Sequence, residues 1–71
     1  MLIGYFNTYK NMIGTIEYDT ITKTHYGELI NQKNKNIIPS YHAANIFQLE
    51  NEFHNYVNRY LDYCEMNELE P

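Results

Sequence analysis

The sequence predicts an α+β domain: a three-stranded antiparallel β-meander with one long C-terminal amphipathic helix packed on one face. Three observations predict it. Residues 10–18 alternate with a period of two, polar clusters at 19–23 and 32–36 punctuate the chain at hairpin spacing, and from residue 46 the apolar period becomes helical. A run of strands followed by a helix is the pattern of a two-layer α+β unit.

In the first strand, about 10–18, Met12, Gly14, Ile16 and Tyr18 point to one side and Ile13, Thr15 and Glu17 to the other. The threonine-rich turn 19–23 leads to a second strand, about 24–31, around Tyr26, Gly27, Leu29 and Ile30, which pairs with the first as a hairpin. A turn without apolar residues, 32–36, precedes a third strand, about 37–42, which Pro39 places at a sheet edge or a bulge because it lacks an N–H. Segment 2–6 is apolar enough for an extra strand or for the opening of a longer first one, and both readings stand. Gly14 and Gly27, inside strands, mark either bulges or places where the helix backbone comes close to the sheet, and close approach is the favoured reading.

The helix, about 46–66, is the firmest element. Stepping 100° per residue, Ile46, Leu49, Phe53, Tyr56, Val57, Tyr60, Leu61 and Cys64 fall within an arc of roughly 140°. Asn51, His54, Asn55, Asn58, Arg59, Asp62 and Glu65 occupy most of the opposite arc. Asn45 is a good N-cap, with Gln48 at the capping-box position. Asp62, Glu65, Glu68 and Glu70 put negative charge at the negative pole, so the last turn is expected to fray.

Seventy-one residues make a single domain, 1–71, and a chain this short buries only about 60% of its unfolded surface. It is expected to lean on a partner or to form a homo-oligomer. The one cysteine, Cys64, lies on the apolar stripe and reads as a core residue. No basic n-region with a long apolar run follows Met1, and no stretch approaches the roughly 20 apolar residues of a membrane span, so the expected address is the cytoplasm. Net charge is −4, and the five Lys and Arg residues are scattered. That pattern disfavours direct nucleic-acid binding, which needs a basic footprint, and suits a basic protein partner.

His25, His42 and His54 occupy different elements, and no HxxxH, CxxC or HExxH spacing occurs, so neither metal nor cofactor is expected. Glu17 and Glu28 could lie side by side on adjacent strands, but nothing accompanies them that would make a nucleophile or a phosphate cradle, and no enzyme is expected. With one helix, one sheet face stays uncovered, carrying Ile13, Tyr26 and Ile30. That face is either solvated or an interface; eight tyrosines favour the interface, because tyrosine joins apolar area to a polar tip. Phe47, off the helix stripe, either folds back on the sheet edge or is exposed as an anchor for self-association.

Gly14-Thr15-Ile16-Glu17-Tyr18, then Tyr26-Gly27-Glu28-Leu29, then Tyr41, and finally Leu49, Phe53, Val57, Tyr60-Leu61 and Tyr63-Cys64 before Glu70-Pro71 resemble, in order and spacing, the HicB family of antitoxins. The resemblance covers about residues 9–71. It implies a partial RNase H-like fold without nuclease activity, the neutralising half of a type II toxin–antitoxin pair. Its implied partner is a HicA-like toxin, a small basic mRNA-cleaving ribonuclease whose active site the antitoxin masks. Family members commonly continue beyond Glu-Pro into a DNA-binding domain, and direct DNA binding is not expected of this segment. The residues expected at the toxin interface are Glu17, Tyr26 and Glu28 on the open sheet face, with Tyr41 and His42 at the sheet edge. The alternative is an orphan, self-associating HicB-like module that uses Phe47 and the sheet edge.

Overall fold

A computed structural model of the chain describes residues 1–34, 37 and 40–71. Among these, four strands form one antiparallel sheet in the order β1 (Leu2–Tyr5), β2 (Thr15–Asp19), β3 (Thr24–Glu28) and β4 (Ser40–Ala43), followed by the helix α1 (Ile46–Met66). The α+β class with one C-terminal helix is as read from the sequence. The three expected strands are four, because segment 2–5 pairs along β2 as an edge strand.

The reason lies in a turn with a weak sequence signal. Lys10 and Asn11 both have positive φ, 50° and 67°, and Tyr9 and Met12 exchange backbone hydrogen bonds of 3.1 and 2.9 Å. This is a two-residue hairpin turn of the primed kind. Asparagine tolerates that backbone readily, whereas lysine does so at a steric cost. The Lys10 ammonium recovers part of it, donating to Asn58 Oδ1 at 2.7 Å and lying 5.4 Å from the Tyr9 ring centre. The expected strand 10–18 is therefore a turn in its first residues, and the hairpin continues through Phe6 N–H donating to Gly14 O to the mutual bonds of Met1 and Tyr18. A bulge between Leu2 and Gly4 interrupts the register. The second expected strand, 24–31, is regular only to Glu28, with a single bridge from Leu29 to Gly14. β4 is an edge strand at 40–43; the expectation for Pro39 lies outside the described residues.

At the β2–β3 turn, Asp19 Oδ1 accepts from the N–H groups of Ile21 at 2.9 Å and Thr22 at 3.4 Å. These bonds hold its carboxyl below the ordinary carboxylate range.

The helix packs against β3 and β4. Its buried residues are Leu49, Phe53, Tyr56, Val57, Tyr60 and Cys64, with Leu61 half-buried and Ile46 45% exposed. Leu49, Phe53 and Val57, fully buried, each contribute about 1.5–3 kcal/mol, so packing rather than propensity holds the helix. Asn45 caps it, its side chain accepting from Gln48 N–H at 2.9 Å. Phe53 is the hub: its ring stacks on Phe6 at 5.3 Å and meets Tyr41 at 5.6 Å. A Cβ on Gly14 would run into the Tyr41 hydroxyl and lie 2.6 Å from the Phe53 ring. The close approach expected at the glycines is real, but side chains, not helix backbone, occupy the space.

The expected polar arc of the helix is partly covered by the first hairpin tip. Tyr9 stacks on His54 at 4.0 Å, and its hydroxyl donates to Asn58 Oδ1 at 3.2 Å. The C-terminal turn is closed despite its acidic residues. Leu69 N–H donates to Cys64 O at 2.8 Å and Glu68 N–H to Glu65 O at 3.3 Å, with Glu68 at φ 54°. That is a Schellman closure with glutamate in glycine's usual place. The chain then doubles back: Pro71 O accepts from Lys33 N–H and from the Tyr60 hydroxyl, both at 2.9 Å, and Glu70 O accepts from Asn34 Nδ2 at 2.8 Å. An exposed Lys33–Glu70 ion pair adds little.

Candidate partner-binding face

Strand alternation and register decide which side chains share the uncovered face. Tyr41 points toward the helix, so His42 points away from it. His42 pairs with Tyr26, Tyr26 with Glu17, and Glu17 with Leu2. Leu2, Glu17, Tyr26 and His42 thus form one row across all four strands, since directly paired residues share a face. A second row holds Tyr5 beside Thr15 and Glu28 beside Ser40.

The face is locally ordered. Thr15 Oγ1 donates to Glu17 Oε2 at 3.1 Å and accepts from Glu28 N–H at 2.9 Å. The Tyr26 hydroxyl accepts from the Met1 ammonium at 3.3 Å. Glu17 and Tyr26 are half-buried, while Glu28 and His42 are exposed. The surface combines two carboxylates, an imidazole and the apolar area of Leu2, Tyr5 and Tyr26. The expected side-by-side placement of Glu17 and Glu28 is corrected: Glu17 faces Tyr26, Glu28 faces Ser40, and the two carboxylates are diagonal neighbours.

Four of the five expected interface residues, Glu17, Tyr26, Glu28 and His42, therefore share one face. Tyr41 does not belong with them and is corrected to a core residue. It is buried on the helix side, and its hydroxyl crosses beneath Gly27 to donate to Thr15 O at 2.8 Å. Burial, reinforced by the Glu17 and Glu28 carboxylates, pushes its phenol well above the ordinary tyrosine value. The signal that could have revealed this is the pair Gly14 and Gly27, which leaves a hole on the inner face of neighbouring strands. Leu2 and Tyr5 were not expected on the open face, because they reach it only through the pairing of β1. Phe47 is 85% exposed, which decides between its two readings against folding back on the sheet.

The turn after β3 also departs from expectation. Gln32, in the turn that holds no apolar residue, is buried; its Nε2 donates to Asn34 O at 2.7 Å and Ile37 O at 3.1 Å, and its Oε1 accepts from the Tyr56 hydroxyl at 3.1 Å. Burial raises the Tyr56 phenol, and the Gln32 hydrogen bond opposes that rise.

The three histidines stand apart: His25 Nδ1 lies 3.3 Å from Ala44 O, His42 is on the open face, and His54 is stacked on Tyr9. Among the described residues, no group of three or more His, Cys, Asp or Glu side chains is placed to hold a metal ion. Among them, too, no helix is long and apolar enough to cross a membrane. No family model, curated protein or solved structure matches this chain.

Proposed function

We propose that this chain is a HicB-like antitoxin that binds a small, basic, HicA-like ribonuclease in the cytoplasm and masks its active site. The observation that carries the reading is the open sheet face, where Glu17, Tyr26, Glu28 and His42 come together with Leu2 and Tyr5. Carboxylates on such a face steer a basic partner and pair with its Lys and Arg side chains, and the aromatic and aliphatic groups supply buried area. Binding, not catalysis, is the activity. The partial RNase H-like fold belongs to the same proposal, since the resemblance calls for antiparallel strands followed by a helix on one face.

The test is neutralisation of a co-expressed HicA-like toxin by wild type and by Glu17→Lys combined with Glu28→Lys, with circular dichroism to establish that both fold. The charge reversal is expected to abolish rescue of growth and to weaken complex formation at low salt at least tenfold. Undiminished rescue by the folded double variant would show that this face is not the toxin-binding surface.

A further inference from the structure

We propose that the outer edge of β1 is a homodimer surface, pairing antiparallel with the same strand of a second copy to make one continuous eight-stranded sheet. The sheet has two edges, β1 and β4, and they are not equivalent. The helix packs against β4 but makes no comparable contact with β1, so the β1 edge lies clear of the second layer. Its side chains are apolar and open: Leu2 is 49%, Ile3 53% and Tyr5 56% exposed. The strand itself carries none of the usual edge protection by lysine, proline or an inward-pointing charge, and only the bulge beside Ile3 blunts it.

Charge selects the occupant. The chain carries a net charge of −4, so most of its surface repels a second copy. Residues 1–9 hold no charged side chain, and the Met1 ammonium is turned back onto Tyr18 O and the Tyr26 hydroxyl. β1 is therefore a segment where two copies can approach without like-charge opposition, and the β4 edge, equally free of charged side chains, lacks the exposed apolar side chains of Leu2, Ile3 and Tyr5. Antiparallel pairing of a strand with itself is also self-complementary, as a two-fold interface requires. With the two-fold axis normal to the sheet, both copies keep the row Leu2, Glu17, Tyr26 and His42 on the same side. The dimer then presents two equivalent faces side by side, whether or not either engages a toxin.

The test is light scattering coupled to size exclusion on the full chain, from about 1 μM to about 1 mM, a range that spans typical weak strand-pairing affinities. The mass is expected to rise from 8.5 kDa toward twice that value. Amide exchange of residues 2–5 should slow with concentration in step with the mass. Ile3→Lys, with an unchanged circular dichroism spectrum, is expected to hold the chain monomeric, while Phe47→Ser leaves the dimer intact. A wild type that stays monomeric throughout overturns the proposal. So does a dimer that survives Ile3→Lys but is lost in Phe47→Ser, or one that leaves exchange of the β1 amides unaffected. The exchange measurement on wild type decides the matter even if the lysine variant fails to fold.

Discussion

Gly27→Ala should be among the most damaging single-methyl additions this fold can receive. The new Cβ would collide with the backbone oxygen of Thr15 and lie 2.7 and 2.8 Å from Tyr41 ring atoms. A backbone carbonyl cannot step aside alone, so either β2 and β3 separate or the Tyr41 ring is expelled. Overpacking of this kind costs about 1–3 kcal/mol. Displacing the ring also breaks the 2.8 Å bond from the Tyr41 hydroxyl to Thr15 O and leaves that buried carbonyl unpaired, at about 1–3 kcal/mol more. The reduced freedom of alanine in the unfolded chain returns about 0.4–1 kcal/mol. The net loss is about 1–6 kcal/mol, against a total of about 4–11 kcal/mol expected for a domain of this length. Tyr41→Phe removes the hydrogen bond without the collision and should lose only that part, about 1–3 kcal/mol. Urea unfolding followed by far-ultraviolet circular dichroism measures both. If Gly27→Ala is less destabilising than Tyr41→Phe, the steric account of this glycine is wrong.

Glu68→Gly should stabilise the fold by about 1 kcal/mol, because it relieves a left-handed backbone at φ 54° and removes a negative charge from the helix's negative pole; a rise in melting temperature of about 4–8 °C checks it, and a fall would show that the Glu68 side chain makes a stabilising contact. Alkaline stability should decline above the ordinary tyrosine pKa of about 10, since Tyr41 and Tyr56 keep their protons in the folded state while the unfolded chain releases them. Ultraviolet titration of the phenolates should accordingly show Tyr41 ionising only together with unfolding, and reversible ionisation of all eight tyrosines in the native fold would contradict its burial.

What the sequence made legible, and what it hid, follows the range of the interactions involved. The helix bounds, the Asn45 cap and nearly the whole buried stripe are encoded within four residues of each other, and a local pattern suffices to read them. The faces of β2 follow as directly from alternation. β1 was ambiguous because its place depends on pairing Leu2 with Glu17, and the turn that enforces this uses Lys10-Asn11 where a glycine would have announced it. Gln32 carries no periodic signal at all; only the three-dimensional arrangement of the turn around its amide shows why it is buried. At the candidate site, Glu17, Tyr26 and Glu28 could be placed from alternation. Tyr41 is not placed by alternation, because an aromatic residue on an edge strand has two faces to choose from, and the choice is made by glycines on other strands.

The burial of Tyr41 changes what the tyrosine count means. Eight tyrosines favoured an interface while they were only a number. In the fold, Tyr41 secures the irregular part of β2 through Thr15 O, Tyr56 holds the Gln32 turn, and Tyr60 ties both Asn34 and the Pro71 carbonyl to the helix. These residues supply apolar area to a small core and use the hydroxyl to satisfy backbone or amide groups that regular pairing leaves over, which is a structural use of the same dual chemistry that suits tyrosine to interfaces. Tyr9 does the same for the first hairpin through Asn58. The case for the open face as a docking surface therefore rests on Tyr26 and Tyr5 beside Leu2 and two carboxylates, a smaller apolar area than the composition suggested. An interface built this way depends on charge for its partner selection, and salt should weaken it more than it would an aromatic-dominated contact.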